Sequence, residues 1–241
     1  MTVRGRAADA SLPGNGTNAA FGLARLLRRL EDYRRRPRIH PDLNPLLDHL
    51  APAAAGDEER VATARAVSPA LDLLVRALVE NVTPPTIIEA RGPQNVVPEE
   101  AKVTLYGAIL PGETKETVEA ELRHALGDGD YTLEVGEPEG GSTSPLDTPL
   151  HEAIERFLRE RDPAARLIPA LGYGFSDCHF MRDAYDSVAY GFIPFRHADP
   201  LTNLTTKHGA DERVLVDDLH FQVDAALHVA RAIGARTRVP A

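Results

Sequence analysis

A short polar run near the C-terminus carries the residue types best suited to metal chemistry. It extends from Lys207 to Val214 (KHGADERV) and places His208 three residues before an aspartate and four before a glutamate. Imidazole nitrogens and carboxylate oxygens are ligands that zinc takes in catalytic sites. A zinc site needs three or four protein ligands, however, and a histidine before a glycine is often a surface or capping residue. The run alone leaves both interpretations open.

The other histidines do not complete such a site. They lack the spacing of metal ligands relative to one another, and His220 and His228 are eight residues apart on a predicted helix. Cys178, the single cysteine, has no neighbouring base that would activate its thiol, so we expect a buried apolar role for it. His179 follows Cys178 in a second polar run, from Gly174 to Arg182. It is a candidate to line a cleft.

The elements that must position these residues fall into two groups. In the first, a strand over residues 2–7 precedes a helix that Asn18 caps and whose apolar residues recur at three- and four-residue spacing. A helical insertion at about residues 37–83 is followed by further strands, a helix over residues 114–126 and an alternating strand at 131–135. The order strand-helix-strand-strand-helix-strand predicts a ferredoxin-like sheet that ends near residue 137.

The second group, residues 138–241, follows a linker that is rich in glycine, serine and proline. Helices are predicted over residues 149–161 and from the capping residue Asp217 onward, with strands at 166–169 and 188–192. The apolar residues that the last helix is predicted to bury are Leu219, Val223, Ala226, Ala230 and Ile233. With so few strands, the group resembles half of a larger sheet, and its open apolar surface predicts poor stability.

Composition argues against several classes of protein. The chain has 241 residues, a formal net charge of −9 and no basic stripe interleaved with aromatic residues, which disfavours nucleic-acid binding. The basic run Arg34 to Arg38 is the exception, and we interpret it as a helix C-terminus, where cations complement the dipole. No apolar run reaches the ~18 residues of a membrane span. One cysteine and the lack of a leader pattern predict a cytoplasmic protein.

Five runs, taken in order, resemble the motifs of one enzyme superfamily. Gly5 to Pro13 is similar to G-x-A-A-H-A-S-x-P, Pro93 to Pro98 to N-V-[IV]-P, and Tyr106 to Gly112 to D-x-R-x-L-P-G. Gly174 to Arg182 resembles G-x-[ST]-D-[AS]-[RH]-x-x-R, and the His208 run resembles a final metal-ligand segment. The chain therefore resembles the zinc metallopeptidase and amidohydrolase superfamily of aminoacylase, carboxypeptidase S and succinyl-diaminopimelate desuccinylase.

The resemblance implies an α/β protein. Residues 1–137 would form an α+β, ferredoxin-like lid or dimerisation domain, and residues 138–241 the C-terminal portion of an α/β zinc-peptidase catalytic domain. Members of the superfamily hydrolyse an amide bond next to a free carboxylate, using zinc to activate a water and a carboxylate to take its proton. The resemblance further implies zinc as the cofactor and a small N-acyl amino acid or peptide as the substrate. The implied site residues are His208 as a metal ligand and Asn95, Ser176 and Asp177 as substrate-binding residues.

Two lid positions depart from the superfamily pattern. By resemblance, Asp9 stands where members carry a histidine that stabilises the oxyanion across the dimer, and Ala108 where they carry an arginine that clamps the substrate carboxylate. An anion at residue 9 would oppose the developing charge, and alanine offers no bidentate donor. Members also carry their other metal ligands ahead of the lid, and this sequence starts at the lid. We therefore expect the chain to lack most of the ligands.

Two functional hypotheses follow. The first is a zinc-dependent peptidase or amidohydrolase of the aminoacylase and carboxypeptidase type. The alternative is a catalytically inactive fragment that acts as a dimerisation or binding module. In both cases we expect a homodimer formed through the lid, because an unpaired sheet edge favours pairing with a second copy. We expect the chain alone to be inactive, since a lone imidazole cannot hold the zinc that activates a water.

Overall fold

A computed structural model describes residues 1–138 and 141–236. The chain divides into two compact units: unit 1 consists of Met1–Arg38 and Glu80–Gly141, and unit 2 of Ile39–Val79 and Ser142–Ala241. Residues 139 and 140 of the predicted linker, and 237–241 at the end, lie outside the described part. The helical insertion thus groups with the C-terminal residues, whereas the predicted domain ranges placed it within the lid. The assignment of each range to a domain of an enzyme stays a prediction.

Unit 1 contains both strands and helices, and the regular elements in the described part of unit 2 are helices. In chain order the elements are β1 (Thr2–Arg4), α1 (Ala19–Asp32), α2 (Asn44–Leu50), α3 (Asp57–Ala66), α4 (Pro69–Val79), β2 (Pro85–Glu89), β3 (Glu100–Leu105), α5 (Lys115–Leu126), β4 (Tyr131–Thr132), α6 (Pro149–Arg161), α7 (Cys178–Tyr185), α8 (Pro200–Thr206) and α9 (Val216–Arg236). None of the helices in the described part is both long enough and apolar enough to span a membrane.

The four strands of unit 1 form one antiparallel sheet in the order β2-β3-β1-β4. With α1 and α5 as the connecting helices, this order is the predicted ferredoxin-like arrangement, and the prediction of the α/β fold class is confirmed. β1 is shorter than the predicted strand over residues 2–7 because the backbone of Arg6 leaves the sheet to pair with Thr17. Strand β4 is likewise only two residues long.

The helix α1 packs on β1 and β3 for reasons that are visible in its sequence. The Asn18 side chain accepts a hydrogen bond from the N–H of Ala20 at 2.9 Å, which confirms it as the cap. Gly22 allows the helix to approach the sheet closely, since a Cβ there would lie 2.8 Å from Cγ1 of Val3. The buried residues of this core are Val3, Ala19, Leu23, Leu26, Ala101, Val103, Val118, Leu122, Leu126 and Leu133.

The basic run after α1 is part of a polar cluster within unit 1. Arg35 and Arg38 form ion pairs with Glu121 on α5, and Asn81 donates to the same carboxylate at 2.9 Å. Asn81 also accepts from the N–H of Leu110 at 3.0 Å. The run therefore follows α1, which ends at Asp32, instead of forming its last turn as the sequence predicted. Three of its guanidinium groups are used inside the chain, since Arg34 also donates to the carbonyl of Glu31, in the last turn of α1, at 2.8 Å.

Within unit 2 the insertion forms its own small helical core. α2, α3 and α4 pack together, and the residues they bury are Leu43, Leu47, Val61, Ala64, Val75, Leu78 and Val79. The predicted helical content of the insertion is confirmed, and Val75, Leu78 and Val79 of α4 face this core while Leu73 is 45% exposed.

The C-terminal part of unit 2 corrects two strand predictions. Residues 166–169 and 188–192 form no strand, because a strand needs a neighbour and the described part of unit 2 contains no other strand to pair with. The backbone of Ala189 is bound instead by side chains: its carbonyl accepts from Ser144 at 3.2 Å and from Arg182 at 2.8 Å.

The final helix packs on α6 through a face that differs from the predicted one. Phe221 meets the fully buried Phe157 at 5.3 Å between ring centroids, and Ala225 is 1% exposed. Leu219 and Val223, predicted to be buried, are 46% and 51% exposed. Asp217, predicted to cap α9, lies inside its first turn, because the helix begins at Val216.

Candidate functional site

Two of the predicted lid residues come together in unit 1. Asp9 forms a β-bridge with Val96, and the N–H of Ala10 donates to the carbonyl of Asn95 at 2.9 Å. The side chains of Asp9 and Asn95 are both exposed. Backbone pairing between segments about 86 residues apart in the sequence thus brings the Asp9 segment next to the N-V-V-P run.

Asp9 is held as an anion by its own loop. Its carboxylate accepts hydrogen bonds from the hydroxyl of Ser11 and, at 2.8 Å, from the N–H of Ser11. The Ser11 hydroxyl, followed by the backbone N–H, lowers the pKa of the Asp9 carboxyl, because both donors stabilise the charged form. A group of this kind can attract a cation or accept a hydrogen bond, but it cannot stabilise an oxyanion.

Ala108 occupies a separate place in the same unit. Its backbone pairs with Val82 through hydrogen bonds of 2.7 Å and 2.9 Å, so the residue is fixed in an isolated β-bridge. Its methyl group supplies no donor to a ligand. The structure therefore brings Asp9 and Asn95 together, while Ala108 contributes backbone geometry only.

The run from Gly174 to Arg182 forms the start of α7 in unit 2. The hydroxyl of Ser176 accepts from the N–H of Cys178 at 3.3 Å, and its carbonyl is 2.9 Å from Nδ1 of His179. Asp177 precedes the helix, but its side chain makes no capping hydrogen bond. Its carboxylate is exposed and has no hydrogen-bond partner in residues 1–138 and 141–236, so it is available to a ligand.

His179 and Cys178, which belong to the same run, are buried to different degrees. His179 is 5% exposed, and its ring packs against Phe175 and Phe180 at centroid distances of 4.6 Å and 3.8 Å. Contact with two aromatic rings makes it part of a small apolar cluster. Cys178 is only half-buried, in contrast to the buried role that the sequence predicted.

Arg182 anchors a polar network that the sequence analysis did not identify. Its guanidinium donates to the hydroxyl of Ser142 at 3.0 Å and to the carbonyl of Ala189 at 2.8 Å. The hydroxyls of Tyr190 and Thr148 are 2.6 Å apart in the same region. The network fixes the glycine- and serine-rich loop after residue 141 to residues 182–190. The available signal was the arginine that ends the polar run.

His208 lies just after α8, in a tight turn. Its φ of 60° is in the left-handed region, and its N–H donates to a carboxylate oxygen of Glu212 at 3.0 Å. The N–H of Gly209 donates to the carbonyl of Thr206 at 2.8 Å, and a Cβ at residue 209 would lie 3.0 Å from that oxygen. The His208 side chain is exposed.

The residues around His208 do not fit the zinc that the resemblance implies. Over residues 1–138 and 141–236, no group of three His, Cys, Asp or Glu side chains is placed to hold a metal ion. The imidazole of His208 has no hydrogen-bond partner within those ranges, whereas zinc-ligating histidines are normally oriented by one. A lone imidazole leaves the metal without the other ligands it requires.

The fold of unit 1 defines a class of domain: a ferredoxin-like, four-stranded antiparallel sheet with two connecting helices. Residues 1–134 match the family model of the peptidase dimerisation domain, M20_dimer. Because the match covers more than half of the chain, the chain belongs to the M20 peptidase family.

One solved structure and the curated proteins complete the comparison. A crystal structure of an M20 family metallo-carboxypeptidase, Sso-CP2 from Sulfolobus solfataricus, is 13% identical to this chain with a TM-score of 0.50. The similarity covers 96% of this chain and 60% of that one, so the chain spans less than two thirds of the carboxypeptidase. At this identity the similarity shows the fold alone. No curated protein matches the chain.

Proposed function

We propose that this chain is a homodimerising module of the M20 family and that the edge strand β2 forms the contact between protomers. β2 pairs with β3 on one side and has no strand on its other side within the described residues. The main observation is that an isoleucine is exposed on each face of this edge strand. Ile87 is 55% exposed and Ile88 is 59% exposed. An exposed apolar edge strand is a template for pairing with another chain, and two copies related by a two-fold axis satisfy each other.

The experiment compares the mass in solution of the wild type with that of a variant in which this edge is blocked. We expect light scattering at micromolar concentration to give twice the 26.2 kDa of one chain for the wild type. Ile87→Lys/Ile88→Lys should give the mass of one chain, because charged lysines on an edge prevent strand pairing. Val67→Lys is the matched control, since Val67 is 55% exposed but lies on the insertion in unit 2. A monomeric wild type, or a double variant that stays dimeric, would contradict the proposal.

A second candidate function is hydrolysis of an amide bond in a peptide or N-acyl amino acid. The observation that favours it is the family membership together with the His208 turn in unit 2. In this candidate His208 is the last metal ligand, and Asn95, Ser176 and Asp177 contact the substrate. The anion at Asp9 and the methyl group at Ala108 argue against the usual recognition of a substrate carboxylate.

Zinc content and hydrolysis separate the two candidates. We expect the purified chain to carry far less than one zinc per protomer and to leave N-acetyl amino acids intact, and His208→Ala to change neither result. If the chain carried about one zinc per protomer and lost hydrolysis on His208→Ala, dimerisation would not be its full function. The single cysteine is consistent with a reducing compartment such as the cytoplasm, which we propose as the location.

A further inference from the structure

Unit 2 contains a cleft that none of the predicted site residues lines. It has a volume of about 370 Å³ and lies between α2, α6 and the irregular segment at residues 165–169. We call it the α2–α6 cleft. Its volume is in the range of small-molecule sites, at the lower end of about 300 to 1,000 Å³. The cleft can therefore hold a small organic molecule but not a folded partner.

The charges that line the cleft leave one cation unpaired. Arg159 forms an ion pair with Glu155 at 3.3 Å, one helical turn away on α6. Arg166 faces the same cleft and has no ion pair or hydrogen bond to any of the residues at 1–138 and 141–236. The lining therefore carries a net positive charge, although the chain as a whole carries −9. An anion in the cleft would meet a guanidinium that offers a planar pair of donors.

The backbone beside Arg166 offers further unpaired groups. No backbone hydrogen bond forms at Arg166, Leu167 or Ile168 within the described residues, although Leu167 and Ile168 are half-buried. Backbone N–H and C=O groups that are withdrawn from water are normally satisfied by a partner. The segment that carries Arg166 thus leaves backbone groups without a hydrogen-bond partner within the described residues.

Apart from His49, an exposed residue of α2, the rest of the lining is apolar. Pro45 and Leu158 come from the two helices, and Leu167 and Ile168 from the irregular segment. A hydrocarbon group placed among them would be removed from water, which inorganic anions cannot exploit. We propose that the α2–α6 cleft binds a small carboxylate with an aliphatic body, whose carboxylate pairs with Arg166 and whose chain lies against these four residues.

The test uses hexanoate as the probe and the complete chain as the protein. Titration followed by amide chemical shifts should give saturable binding, with the largest shifts at Leu167 and Ile168. Arg166→Gln should weaken binding by about tenfold or more, the loss expected for a charge-assisted hydrogen bond. Arg166→Lys should recover part of the loss because it restores the charge. Because Arg166 is exposed and forms no ion pair or hydrogen bond within the described residues, neither variant should change the unfolding midpoint.

Matched controls decide the outcome. Arg156→Gln removes an exposed arginine of α6 that does not line the cleft, and it should bind hexanoate as the wild type does. Hexan-1-ol has the same chain without the charge, and inorganic phosphate has charge without a chain, so both should bind more weakly than hexanoate. The proposal is overturned if hexanoate does not saturate, if either control ligand binds as tightly, or if Arg156→Gln loses as much affinity as Arg166→Gln.

Discussion

Unit 1 and the C-terminal part of unit 2 differ in how completely they cover their apolar residues. Unit 1 packs α1 and α5 against a four-stranded sheet, and most large apolar residues of both helices belong to one core with that sheet, although Phe21 of α1 is 67% exposed. Residues 142–236 contain only four of the 24 apolar residues that the described part buries, but 15 of the 22 large apolar side chains that it exposes. Helices form in both regions, yet only the first region has a sheet to receive their apolar faces.

The difference separates what a helix needs to form from what it needs to be buried. Apolar spacing and capping residues act within one or two turns and are present in both regions. Burial of the face requires a second layer, which unit 1 supplies from strands distant in sequence. Helix α9 therefore exposes Leu219, Val223 and Leu227 although its composition resembles that of a buried helix.

The largest expected effect tests that contrast in burial directly. Leu126→Ala empties a site that is 0% exposed in unit 1 and should lower the free energy of unfolding by about 2–5 kcal/mol. The same change at Leu227, which is 48% exposed, should alter it by less than about 0.5 kcal/mol. Hydrogen exchange resolved by region, together with urea denaturation, measures both. A large cost at Leu227 would mean that α9 is covered in solution and would remove the contrast.

A second prediction concerns the polar cluster around Glu121 in unit 1. Glu121→Ala leaves Arg35 without its carboxylate partner at a position where both side chains are 16% exposed. We expect a loss of about 2–3 kcal/mol in unfolding free energy, because a partly buried cation becomes unpaired. Glu119→Ala, which removes a surface pair with Arg123 on the same helix, should cost about 0.5 kcal/mol or less. Thermal and urea unfolding measure both variants. If Glu121→Ala and Glu119→Ala lose the same unfolding free energy, Glu121 has no special role.

A third prediction is a pH dependence in unit 2. Burial of Asp218 opposes its ionisation, but backbone N–H groups of residues 196–198 donate to its carboxylate and outweigh this, so its pKa is lowered. A carboxyl whose pKa is lower in the folded state contributes stability above the unfolded value of about 3.9 and loses it as the pH falls through the folded value. Asp218→Asn should therefore be less stable than the wild type at pH 7.

The gap between the wild type and Asp218→Asn should shrink as the pH falls below about 4, because the wild-type carboxylate then becomes protonated. Unfolding midpoints measured from pH 7 to pH 3 test this. Asp217→Asn is the control, since its exposed side chain makes no hydrogen bond within the described residues, and its gap should be small at every pH. A gap for Asp218→Asn that stays constant down to pH 3 would exclude ionisation as the cause.

The smallest expected effect compares two helix starts. Asn18→Ala removes the hydrogen bond that caps α1 and should cost about 1 kcal/mol. Asp177→Ala removes a side chain that precedes α7 without capping it and should change stability by a few tenths of a kcal/mol at most. Denaturation of the two variants under one set of conditions measures both effects. A loss at Asp177 as large as that at Asn18 would indicate a contact of its carboxylate that the structure lacks.

The sequence alone determined the local elements and, through their order, the fold of unit 1. The helix that Asn18 caps, the helix over Pro149–Arg161 and the strand-helix-strand-strand-helix-strand order all follow from spacing, capping and turn residues. Each of these signals is contained in residues that are neighbours in the chain, so the order of the amino acids is enough to specify it. The family resemblance came from motifs of the same local kind, and the fold class and family are confirmed.

Only the tertiary structure decided which partners these elements have. It placed Asp9 beside Asn95 and left residues 188–192 without a strand to pair with. It also turned Ala225 of α9 inward in place of Leu219, and it left Arg166 facing a cleft. Each of these outcomes depends on segments that are far apart in the chain. Pairing and burial are set by which surfaces meet, and a pattern within one segment does not specify the surface it will meet.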